Sequence, residues 1–358
     1  MFTGARLSLA RRRRGLTKKG LAEAVGVTPH TILRYESGVM IPSNDVVAKL
    51  AKALDFPEGF FSSKEVDEID SDAASFRSMA AMTARERDAA LAAGELAFIF
   101  SDWVDCQFDL PSPNLLDLSG ASPEVAARSL RQEWGLGERP IKNIVHLLEA
   151  KGVRVFALAE NTRTVDAFSL WRDEQPFVFL NVMKTAERSR FDAAHELGHL
   201  VLHKHGGPKG RTAEHEANRF ASSFLLPSAD VMAIAPRVHT LNQLIQLKRR
   251  WGVAALALAF RLHQLKAITD WQYRTFCIQA TERGMREREE NGIEREHSAV
   301  WQKVLTALWS EGVTKEHIAE QLFMPVYEIE NLLFGLAGSL GRGHENQGYR
   351  PPNLRIVQ

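Results

Sequence analysis

The sequence predicts a multidomain, mainly α chain: an all-α N-terminal domain, an α+β middle domain with a small sheet, and a helical C-terminal domain. Three observations predict it. At 358 residues, and about 150 residues per domain, two or three domains are needed. Composition is ordinary for globular protein, 45% hydrophobic and 25% charged, which excludes wholesale disorder. Helical periodicity dominates the chain on both sides of one strand-like stretch, 152–181.

In chain order, Leu7, Leu9 and Ala10 open a first helix that runs into Arg11–Arg14 and stops at Gly15. Thr17 caps a second helix, 18–25, and Thr28 a third, with Pro29 in its first turn. A fourth covers 44–54. Residues 1–62 hold ten basic against five acidic side chains, and an acidic run, 65–72, follows. That asymmetry suits an anionic partner followed by a solvated linker. Thr83 caps a further helix towards Trp103, and others cover 122–134 and 141–150. Residues 152–157, 167–171 and 176–181 read as strands. The expected organisation is 1–62, a four-helix domain; 63–135, an acidic linker and helical connector; 136–268, the α+β domain; 269–337, a helical domain; and 338–358, a flexible tail. The run from Met285 to Glu296 reads as a solvated face or loop.

Cys106 and Cys277 are too few for a disulfide framework or a four-cysteine metal site. No apolar run approaches the roughly 20 residues that span a bilayer, and no signal peptide is evident. A cytoplasmic protein without membrane contact is expected.

The string from Leu21 to Gly38, LAEAVGVTPHTILRYESG, followed by Ile41-Pro42-Ser43 and a closing helix, resembles the XRE (Cro/C1-type) helix-turn-helix domain. The resemblance implies that helix 28–37 enters the major groove of a double-stranded DNA operator. Thr28, Pro29, His30, Thr31 and Arg34 would then face bases or phosphates, and Lys18, Lys19 and the arginines from Arg11 to Arg14 would meet phosphate. A homodimer on an inverted repeat would follow from the same plan.

Residues 190–203 carry the chemistry. His195-Glu196-Leu197-Gly198-His199 is H-E-x-x-H. On a helix, positions i and i+4 share a face, so both imidazoles can hold one zinc ion, Zn2+. Zinc brings the pKa of a bound water to roughly 7, and Glu196 is placed to take its proton. Phe191, Ala194, Leu197, Leu200 and Val201 make the rest of the helix apolar. A third protein ligand is needed. His205 has metzincin spacing, but Leu202 stands where that pattern needs glycine, and on a continuing helix residue 205 is rotated about 80° from His195. His203 is about as far round the other way, and both read as capping or surface histidines. The next helix offers Glu216, beside the stripe Ala217, Phe220, Ala221 and Phe224. Glu214 lies a turn nearer its fraying end, and His215 is a further alternative. The reading adopts His195, His199 and Glu216 as metal ligands, with Glu214 left open.

RFDAAHELGH, then Glu216–Ala221 (EANRFA) and Leu225-Leu226-Pro227, resemble the ImmA/IrrE family of zinc metallopeptidases. The resemblance implies a zincin-like fold, Glu196 as catalytic base, and a regulatory DNA-binding protein as substrate. The whole chain resembles an XRE-family regulator fused to such a peptidase. It is expected to switch gene expression by cleaving a repressor or other regulatory protein. The alternative is a transcription factor or antitoxin whose metallopeptidase-like domain binds a partner without cleaving it. Residues 314–333 again resemble helix-turn-helix but are acidic, which favours a sensing, dimerising or docking role.

Overall fold

The computed structural model describes residues 1–70, 75–76, 82–158, 167–204, 210–285, 287–333, 335–337 and 355–356. His205 and most of the 338–358 tail lie outside the described residues. The first elements are α1 (Gly4–Arg13), α2 (Lys18–Val25), α3 (Pro29–Glu36), α4 (Asn44–Leu54), β1 (Ser75–Phe76), α5 (Ala84–Asp105) and β2 (Phe108–Asp109). Next come α6 (Pro123–Glu133), α7 (Ile144–Ala150), β3 (Arg154–Leu158), β4 (Ala167–Arg172), β5 (Gln175–Asn181), α8 (Ala186–Leu202) and α9 (Arg211–Leu225). The chain continues through α10 (Ser228–Ile234), α11 (Leu241–Leu247), α12 (Ala255–Gln264), α13 (Asp270–Glu282), α14 (Ala299–Ser310), α15 (Lys315–Leu322), α16 (Val326–Leu333) and β6 (Arg355–Ile356). Ser75–Phe76 forms a short strand.

The chain forms two compact units, one of residues 1–110, 156–165 and 299–358, the other of 111–155 and 166–298. In the first, Thr17 Oγ1 accepts from the Gly20 amide and Thr28 Oγ1 from the Thr31 amide, the two predicted caps. Gly26 closes α2 in the left-handed region at φ 76°, where a side chain would be strained. Leu7, Leu21, Ile32, Leu50 and Leu54 are fully buried between these helices. α5 begins with a reciprocal Thr83–Glu86 capping box, and Phe100, Phe156 and Trp301 pack as one aromatic cluster.

The arginine run departs from its sequence reading. Arg11 pairs with Glu36 and Arg12 makes two parallel bonds to Glu95, at 2.9 and 2.7 Å. Arg13 and Arg14 both meet Glu328 of α16, whose side chain is 2% exposed. Arg14 also touches Tyr327, whose hydroxyl donates to Asp55 at 2.8 Å. These guanidiniums are satisfied inside the chain rather than offered to phosphate. Desolvating a carboxylate such as Glu328 is tolerable only with partners of this kind. The acidic stretch is also tied down at two points: Arg6 Nε donates to the Lys64 carbonyl, and the Ile69 amide to Glu95.

In the second unit β4 and β5 form an antiparallel hairpin in the register Ala167–Leu180 to Arg172–Gln175. Phe168 and Phe179 stack across the hairpin, with centroids 4.4 Å apart. α8 packs on this sheet and α9 packs on α8. The predicted solvated run 285–296 is instead partly internal. Lys248, 1% exposed, bridges Glu187 and Glu289 at 3.3 and 3.0 Å, and Arg190 pairs with Glu296. Buried cations on α8 and beside α11 draw these acids inward.

Candidate metal centre

α8 starts at Thr185, whose Oγ1 accepts from the Arg188 amide, and runs without interruption to Leu202. His195, Glu196 and His199 are all buried on it. The i, i+4 spacing brings His195 Nε2 to 3.1 Å from His199 Nε2. Gly198 sets how closely α9 can approach. A Cβ there would stand 3.1 Å from Phe220 and 3.3 Å from Ala217 Cα, tighter than the helix pair accommodates without shifting. Glycine in the motif therefore serves packing.

The carboxylate that α9 brings to the histidines is Glu214, not Glu216. Its oxygens lie 3.4 Å from His195 Nε2 and 3.3 Å from His199 Nε2. Burial raises the Glu214 pKa, but its contacts to His195 and His199 more than reverse this and hold it at about 2. Helical phase explains the correction. Glu214 and Asn218 are one turn apart on one flank of the Ala217–Ala221 stripe, and Asn218 Oδ1 sits 3.2 Å from His195 Nδ1. Glu216 lies on the other flank, about 160° from Glu214, where its Oε2 meets His203 Nε2 at 3.0 Å. His203 is not a surface histidine: its Nδ1 faces His199 Nδ1 at 3.1 Å. His215, the further alternative, lines a cleft together with Arg219 and Ser223 and is absent from the His195–His199–Glu214 cluster.

One set of tautomers lets these contacts present both Nε2 atoms to a metal. With Nδ1–H of His195 donated to Asn218 Oδ1, Nε2 carries a lone pair. With Nδ1–H of His199 donated to His203 Nδ1, its Nε2 does too, and His203 must then donate Nε2–H to Glu216. In these tautomers two lone pairs and a carboxylate converge, a donor set suited to a metal cation. Ligand atoms on a tetrahedral zinc ion at about 2.0–2.1 Å stand roughly 3.3–3.4 Å apart, close to the 3.1, 3.4 and 3.3 Å found here. The residues thus fit zinc. Glu196, next to the first histidine, is held from the sheet: Ser169 Oγ of β4 donates to its Oε2 at 2.7 Å. Two residues on from Ser169, on the same strand face, Trp171 Nε1 donates to the Leu200 carbonyl at 3.1 Å and pins α8 against β4.

In the first unit the residues expected at DNA lie together on α2 and α3. Thr28, Pro29, His30 and Arg34 are exposed, Thr31 is half-exposed, and Lys18 and Lys19 side chains are 42% and 78% exposed. Ile32 and Tyr35 point the other way, into the core. Sequence reasoning missed Ser169, Asn218 and the inward role of His203. Ser169 and Asn218 carry no motif; His203 was detectable as the third histidine of an i, i+4, i+8 series.

Among the described residues, no helix is long and apolar enough to cross a membrane. No curated protein matches the chain. Residues 7–61 match the model of a helix-turn-helix family, and residues 148–263 match that of the IrrE N-terminal-like domain. The chain thus joins an XRE-type helix-turn-helix domain to an IrrE-like domain of the metallopeptidase type.

Proposed function

We propose that this chain is a DNA-binding regulator whose IrrE-like domain is a zinc-dependent endopeptidase that cuts a second regulatory protein. The observation that carries it is the convergence of His195 Nε2, His199 Nε2 and Glu214 at zinc-sized separations beside the buried carboxylate of Glu196. Zinc bound there would supply Lewis acidity, polarising a scissile carbonyl and acidifying water. His195, His199 and Glu214 would hold it. Asn218 orients the first imidazole, and the His203–Glu216 pair orients the second. Glu196 takes up the proton of the attacking water and delivers it to the leaving amine, and Ser169 fixes its rotamer. Thr28, Pro29, His30, Thr31 and Arg34, with Lys18 and Lys19, contact operator DNA. A substrate other than the chain itself is favoured because the acidic stretch after residue 62 is anchored at Lys64 and Ile69.

The test uses intact protein and Glu196→Gln, each with zinc and operator DNA, incubated with repressors encoded beside it. Intact mass should show site-specific scission of one such protein by the intact enzyme alone. Zinc binding without scission of any of them would reduce the domain to a metal-dependent binding module.

A further inference from the structure

On the opposite face of α9 from the metal cluster, α6, α9 and α12 enclose a cleft of about 940 Å³, at the large end of the roughly 300–1,000 Å³ usual for small-molecule sites. Its walls are unusually cationic. Arg128, Arg131, Arg219 and Arg261 line it, against Glu124 and Glu138. Glu124 is engaged by Arg219, at 3.0 and 2.7 Å. Arg131 and Arg261 are only 3% and 5% exposed, and neither has a carboxylate within ion-pair distance among the described residues. Arg131 is satisfied by three backbone carbonyls, those of Gly137, Phe224 and Arg139. Arg261 makes a single hydrogen bond, from Nε to the Leu226 carbonyl at 3.0 Å, and leaves both Nη groups to the cleft. Burial lowers its pKa; the Glu124 charge partly offsets this, and the neighbouring Arg219 charge adds to it. Ser223, one turn after Arg219, is 6% exposed, and its Oγ has no hydrogen-bond partner.

A buried guanidinium with most of its donors unused, beside a second cation and a buried unsatisfied hydroxyl, is electrostatically unfavourable when left alone. An oxyanion corrects all of these at once: it accepts two parallel N–H bonds from the guanidinium fork and one O–H bond from the serine. A metal cation is excluded by the same charges. We propose that this cleft binds a small organic anion whose carboxylate or phosphate is held by Arg261 and Ser223, with the remaining volume taking its organic body. This reading is independent of catalysis, since none of these residues belongs to the metal cluster.

The experiment is calorimetric titration of the full chain, in low-chloride buffer, with inorganic phosphate and separately with succinate as probes. Saturable binding of at least one is expected, and the one that binds identifies the head group. Ser223→Ala and Arg261→Met should each weaken it about tenfold or more, the loss of charge-assisted hydrogen bonds, with circular dichroism and zinc stoichiometry unchanged. Should Arg261→Met fail to fold, Ser223→Ala decides, because it removes only the hydroxyl. Absence of saturable binding by either probe, or affinity unaltered in the folded variants, would overturn the assignment.

Discussion

At Glu196 and Glu214 two carboxylates one helix apart are given different work by their neighbours. Glu214 faces two imidazole nitrogens, and Glu196 faces the Ser169 hydroxyl. Glu196→Gln keeps the shape of the side chain but cannot accept a proton. It should retain one zinc per chain and lose roughly 10²–10⁴-fold in cleavage rate, read by elemental analysis and single-turnover assay; near-normal turnover would point to another base. Glu214→Ala should lose stoichiometric zinc. Glu216→Ala and His203→Ala leave all three donors in place but release the His199 ring, so zinc affinity should fall only by roughly 10–100-fold. Competition with a chromogenic chelator ranks the three variants. A larger loss in Glu216→Ala than in Glu214→Ala would restore Glu216 as the ligand.

At the scale of the element, α9 acts through the phase of its turns. One flank carries Glu214 and Asn218 to His195, the other carries Glu216 to His203, and its back lines the cationic cleft. α3 divides in the same way, with Ile32 and Tyr35 buried and Pro29, His30 and Arg34 exposed. Arg34→Ala in the full chain should weaken operator binding by about 1–3 kcal/mol if the guanidinium is bidentate to a guanine. Lys19→Ala should instead weaken all sequences alike and flatten the salt dependence. Binding that is insensitive to both substitutions and to salt would remove this face from the interface.

For the molecule as a whole, the two chain ends close one unit. Glu328 and Tyr327, more than three hundred residues from Arg13 and Arg14, meet them, with Glu328 buried and Tyr327 at the surface. Helix α16 thus docks onto the end of α1. Glu328→Ala removes the carboxylate that Arg13 and Arg14 share, and breaking a buried pair from one side costs about 3–5 kcal/mol. Denaturant unfolding monitored by tryptophan fluorescence should show a loss of that order in one transition. A change below about 1 kcal/mol would class the pairs with the weak surface bridges.

Much of the chain's plan was legible in its residues. Capping threonines, turn glycines and helical spacing located α1 to α4. The His195–Glu196–His199 spacing placed three groups on one helix whatever surrounds it, because i and i+4 coincide on any α-helix. Alternation and β-branched or aromatic runs located the three strands near the site. Relations between elements were not legible, because they depend on how helices and sheet dock. Helical phase leaves Glu214 and Glu216 nearly equivalent relative to the stripe; only the side from which α8 approaches, at the distance Gly198 permits, separates them. Ser169 reaches Glu196 because β4 lies against α8. Four consecutive arginines read as a phosphate-binding run until the tertiary structure supplied Glu36, Glu95 and Glu328. Local sequence sets which groups a helix displays. Whether a displayed charge is left for a ligand or neutralised within the chain is decided by what packs against it, since a buried charge needs a partner and an exposed one does not.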